Sequence, residues 1–63
     1  MAVSMEKRGK INICRMILGD IRTNTYIVYD EEKRGILVDP ADSAEIIKIK
    51  LTELGVNLCA ILL

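Results

Sequence analysis

The stretch GILVDPADSAEIIKIKLTELGVNLCAILL, residues 35–63, decides the fold of this chain. It begins with an apolar run at residues 36–38, which Asp39 and Pro40 end, and it closes with a second apolar run at residues 58–63. Apolar residues between the two runs recur at helical spacing, so the pattern predicts a strand, a helix and a strand. Parallel strands need such a crossover, and the stretch therefore predicts a right-handed βαβ unit.

The predicted helix covers residues 42–54. Asp42 is a candidate N-cap with Glu45 three positions later, an arrangement similar to a capping box. The apolar residues Ile47, Leu51 and Leu54 recur at helical spacing, with Ile46 beside them. Gly55 suits the left-handed position at which such a helix ends.

Two further strands are predicted before this unit. Residues 11–18 alternate, which places Cys14, Met16 and Leu18 on one face of a strand. Residues 25–29 are β-branched or aromatic, as in strands. The polar residues 30–35 predict a solvated antiparallel hairpin connection, with a docking patch as the alternative. The predicted order is β-β-β-α-β, an α/β (α+β) arrangement, and residues 1–10 are expected to form a flexible leader.

Composition argues against several functions. Nine basic and nine acidic side chains cancel, and the aromatic residues are two tyrosines. We therefore expect no nucleic-acid partner and no membrane partner. The chain contains no histidine, the commonest general base and metal ligand, so self-sufficient catalysis is not expected. No signal-peptide pattern is visible and the apolar run at residues 58–63 is too short to span a bilayer, which favours a cytoplasmic location.

The two cysteines, Cys14 and Cys59, lie in separate apolar runs. We expect both to be buried free thiols, with a disulfide as the alternative. Their spacing does not fit a zinc site. A nucleophilic role for either cysteine lacks a histidine base.

The predicted strands at residues 36–38 and 58–63 have no alternating polar residue. We therefore expect both strands to lie in the interior of a sheet that is covered on both faces, whereas one helix covers only one face. A small domain that lacks one layer is expected to be marginally stable or to associate. We therefore expect residues 11–63 to be the N-terminal segment of a larger domain, truncated after Leu63.

Residues 11–63 resemble the N-terminal end of the metallo-β-lactamase-fold hydrolases, especially the hydroxyacylglutathione hydrolase (glyoxalase II)-like members. Each matching piece is short, but their order and spacing are fairly specific. The pieces are Leu18-Gly19, Thr23-Asn24-Thr25-Tyr26-Ile27-Val28-Tyr29-Asp30, Gly35-Ile36-Leu37-Val38-Asp39-Pro40, Glu53-Leu54-Gly55-Val56 and Ala60-Ile61-Leu62-Leu63.

The resemblance implies an αββα sandwich with zinc ions that activate a water molecule for hydrolysis of a thioester, or of a related ester or amide. The metal ligands of the family are expected beyond Leu63, so no catalytic or metal-binding residue is assigned in this chain. Asp39 matches a family aspartate that supports the metal-binding loop. Its alternative role is to end the strand and cap the turn at Pro40.

Two functions follow as expectations. The first is the N-terminal portion of a metal-dependent hydrolase, inactive by itself, whose partner is the remaining part of the domain. The second is a small non-catalytic interaction module that completes its sheet with a partner strand or by self-association.

Overall fold

The computed structural model of this chain describes residues 2–18, 23–40 and 44–63. The described residues form one mixed sheet and one helix, which is an α+β arrangement. The elements are β1 (Ala2–Arg8), β2 (Ile11–Leu18), β3 (Thr23–Tyr29), β4 (Arg34–Val38), α1 (Ala44–Leu54) and β5 (Asn57–Leu62). The strands lie in the sheet in chain order. Neighbours from β1 to β4 are antiparallel, and β4 and β5 are parallel, as the predicted βαβ unit requires.

The N-terminal residues correct the sequence analysis, because Ala2–Arg8 form β1 instead of a flexible leader. β1 pairs with β2 along its whole length, from Ala2 opposite Ile17 to Arg8 opposite Ile11. Gly9, with a φ of 59°, lies in the turn between the two strands. Every residue of β1 is exposed, so the strand is held by main-chain pairing more than by burial. Hydrophobic periodicity is weak in such a strand.

The helix covers one face of the sheet, and the core lies between them. Residues opposite each other in an antiparallel pair share a face, and the register aligns Cys14 with Ile27 and Ile27 with Leu37. The buried apolar residues are Cys14, Met16, Leu18, Ile27, Tyr29, Leu37, Ile47 and Val56, with Leu51 and Leu54 packed against them. Burying a large side chain of this kind contributes about 1.5–3 kcal/mol. The predicted alternation of residues 11–18 is confirmed, and the face that contains Cys14, Met16 and Leu18 is the buried one.

The C-terminal end of α1 agrees with the prediction. Gly55 has a φ of 70°, and its amide donates to the Thr52 carbonyl at 3.1 Å. The Val56 amide donates to the Leu51 carbonyl at 3.0 Å. These two hydrogen bonds define a Schellman motif, with Val56 and Leu51 in the same core. The candidate N-cap Asp42 lies outside the described residues.

β4 and β5 differ in the number of neighbouring strands in the described sheet. β4 lies inside the sheet, as predicted, whereas β5 lies at the edge of the described sheet with all six residues exposed. Cys59 is consequently exposed, which corrects its predicted burial, while Cys14 is buried as predicted. No described element covers the sheet face opposite α1.

Candidate functional site

Asp39 follows β4 at the end of the sheet where β4 and β5 both finish. Its amide donates to the carbonyl of Leu62 at 2.8 Å, which fixes the carboxyl ends of the two strands side by side. Its φ of 52° is a left-handed conformation that aspartate tolerates better than most residues. Asp39 therefore turns the chain out of β4 while its side chain stays exposed.

Thr25 fixes the same turn from the other side. Its hydroxyl donates to the Asp39 carbonyl at 2.9 Å, and the residue is fully buried in β3. A buried hydroxyl needs a hydrogen-bond partner, and the Asp39 carbonyl provides it. Asp39, at the end of β4, is thus hydrogen-bonded to both β3 and β5. The sequence analysis gave Thr25 no such role, although a threonine in phase with the buried residues Ile27 and Tyr29 indicated a paired hydroxyl.

The described residues do not by themselves form a metal site. No group of three or more histidine, cysteine, aspartate or glutamate side chains lies close enough in residues 2–18, 23–40 and 44–63 to hold an ion. Asp39 is one carboxylate at the sheet edge, which is too few ligands for zinc.

The face opposite α1 has an apolar half and a polar half. Register aligns Val28 with Ile36 and Ala60, and it aligns Val38 with Leu62, so β3, β4 and β5 present an apolar surface. The half near β1 contains a shallow cavity of about 440 Å³. Its lining residues are Ser4, Glu6, Arg8, Ile13, Arg15 and Tyr26, with Glu6 and Arg8 ion-paired. This arrangement suits a packing surface with a polar border better than an enclosed reaction site.

The two thiols lie in different environments. Burial raises the pKa of the Cys14 thiol, and the nearby Lys50 ammonium offsets part of this increase. The exposed Cys59 lies in β5 beside a small depression of about 180 Å³ that Ile11, Val28 and Ile36 help to line. The Cys59 thiol donates to the carbonyl of Asn57 at 3.8 Å, and no hydrogen bond among the described residues joins either thiol to an acidic or basic side chain.

No helix in the described part of the chain has both the length and the apolar character needed to cross a membrane. Comparisons with protein-family models, with curated proteins and with solved structures give no match.

Proposed function

We propose that this chain forms the first sheet and helix of a metal-dependent hydrolase domain of the metallo-β-lactamase type, and that it is inactive without the segment that binds the metal. The observation that carries the proposal is the hydrogen bond of 2.8 Å between the Asp39 amide and the Leu62 carbonyl. In the family that the sequence resembles, an aspartate ends the strand equivalent to β4, and the metal-binding segment adjoins the strand equivalent to β5.

The uncovered sheet face supports the same proposal. An αββα sandwich requires a sheet that has a helix on one face and a second sheet on the other. α1 covers one face here, and the other presents Val28, Ile36 and Val38, all partly exposed. A second sheet would bury these residues.

In this proposal, the ligands of the metal are residues that the structure does not describe. The described residues provide no ligand cluster, so we assign none of them a step in hydrolysis. The role proposed for Asp39 is to position a neighbouring ligand loop. The hydrogen bond from Thr25 fixes the backbone of Asp39.

Complementation tests this function. The chain is mixed with the remaining part of a glyoxalase II-like hydrolase domain, which carries the histidine ligands, and bound zinc and thioester hydrolysis are measured. We expect both to appear only in the complex. Asp39→Asn should lower zinc affinity or activity by about 10- to 100-fold, because the carboxylate that orients the loop is lost.

The matched control is Glu31→Gln, which removes an exposed carboxylate in the β3–β4 connection, at the opposite end of β4. It should leave zinc binding and hydrolysis unchanged. A folded complex that retains no zinc and hydrolyses no thioester would refute the hydrolase function.

The exposed β5 edge favours a second candidate function, a non-catalytic interaction module that completes its sheet with another strand. This function predicts that an added apolar strand peptide protects the β5 amides from hydrogen exchange without any metal. Unchanged exchange in β5 at saturating peptide would exclude it.

A further inference from the structure

The two edges of the sheet differ in charge. β1 at one edge carries Glu6, Lys7 and Arg8, whereas β5 at the other edge has the sequence NLCAIL and no charged residue. Charged side chains on an edge strand oppose pairing with another chain. β5 lacks this protection, and its outer side has no neighbouring strand among the described residues.

The apolar surface of β5 continues onto the uncovered face. Ile61 and Leu62 are 54% and 51% exposed, and Leu62 is in register with Val38. A strand that pairs with β5 would therefore gain main-chain hydrogen bonds and would also extend an apolar surface. A strand with apolar side chains would extend this surface.

We propose that a second copy of this chain occupies the edge, with its β5 antiparallel to the first β5 across a two-fold axis. The inference specifies the partner of the interaction module, the second candidate function. β5 of a second copy has the same length as the edge it would pair with, and its apolar, uncharged side chains match the surface that it would extend. The chain has zero net charge, so two copies do not repel each other at long range. The resulting interface is isologous and closes at two copies.

A disulfide between two Cys59 residues would test this geometry. Cys59 lies near the middle of β5, and a two-fold axis near the strand centre places the two Cys59 residues opposite or nearly opposite each other. Opposed residues in antiparallel strands have Cα atoms about 4.5–5.5 Å apart. A disulfide accepts Cα separations of about 4.4–6.8 Å. The second cysteine, Cys14, is buried in the core and cannot form this link.

Sedimentation velocity over a dilution series tests the proposal. We expect a monomer–dimer equilibrium that stops at two copies. Ile61→Lys places a charge on the edge and should raise the dimer dissociation constant at least about tenfold. The matched control is Ile49→Lys on α1, where the residue is 58% exposed, and it should leave dimerisation unchanged. A monomer at all concentrations, open-ended oligomers or equal effects of the two substitutions would overturn the proposal.

Cross-linking gives a second measurement, and its main result comes from the unmodified chain. Diamide, an azo oxidant, accepts two electrons and two protons from two thiols while the S–S bond forms. Peptide mapping should identify a Cys59–Cys59 link, and Ile61→Lys should suppress it although Cys59 is retained. Links through Cys14, or no links, would overturn the proposal. A monomeric chain that still binds an added strand peptide would also overturn it, while leaving the interaction module intact.

Discussion

Gly35 allows β4 to lie close to Val56, the second residue after the end of α1. A Cβ atom at this position would lie 2.7 Å from Cγ1 of Val56 and 2.9 Å from the carbonyl oxygen of Val28. The backbone oxygen cannot move without disturbing the β3–β4 pair. We expect Gly35→Ala to lower the free energy of unfolding by about 1–3 kcal/mol in urea denaturation.

Gly55→Ala is the comparison for this prediction. A Cβ atom at Gly55 meets no atom within 4 Å, but the φ of 70° disfavours alanine. It should cost about 1–2 kcal/mol through backbone conformation alone. An unchanged urea midpoint for Gly35→Ala would contradict the close contact between β4 and Val56.

The two cysteines should differ in reactivity at the same pH. We expect iodoacetamide to modify the exposed Cys59 in the folded chain, and Cys14 only when the chain opens. Burial raises the pKa of the Cys14 thiol, so the folded chain holds this proton more tightly than the unfolded chain. The resulting contribution to the free energy of unfolding is lost as pH rises from the ordinary cysteine range through the raised pKa. Mass spectrometry of the alkylated peptides measures both rates. Equal rates in native buffer would show that Cys14 is not buried.

At the scale of elements, the β3–β4 connection depends on Asp30. Its carboxylate accepts hydrogen bonds at 2.9 Å from the amides of Glu32 and Arg34 and from the Arg34 side chain. The hydrogen bond from the Arg34 amide is the largest cause of its lowered pKa. A lowered aspartate pKa stabilises the fold above the ordinary aspartate value, and this contribution is lost as pH falls through the lowered value.

The expected result is an acid-induced loosening of this connection, which can be followed by the amide shifts of Glu32 and Arg34 in an NMR titration. Asp30→Asn should flatten the titration of both amides, whereas Glu31→Gln should preserve it. Identical titrations in the three proteins would remove Asp30 from this role.

The elements that the sequence predicted well are those with a strong local pattern. Local signals are present in the alternation at residues 11–18, in the polar connection before Gly35 and in Gly55 at the end of the helix. β1 was missed because a fully exposed strand owes its position to pairing with β2, which is a long-range contact. The contact between Thr25 and Asp39 was missed because it joins residues 14 positions apart.

For the whole molecule, protection from hydrogen exchange should follow position in the sheet. β2 and β3 have neighbours on both sides and supply most of the buried residues, whereas β5 in a single copy has one neighbour. We expect slow exchange in β2 and β3 and faster exchange in β5 at low protein concentration. Equally slow exchange in β5 of the monomer would mean that another part of the chain covers this edge.

The strands lie in the sheet in the same order as in the chain, and this order affects which strands can pair first during folding. Each strand from β2 to β4 pairs antiparallel with the strand that precedes it in the chain. Contact order is therefore low for this part, and such contacts form quickly. The parallel β4–β5 pair instead requires closure of a loop that contains the helix. During synthesis on a ribosome, the described strands emerge in chain order, so β4 leaves before β5. The uncharged β5 therefore reaches a neighbouring strand that has already been released.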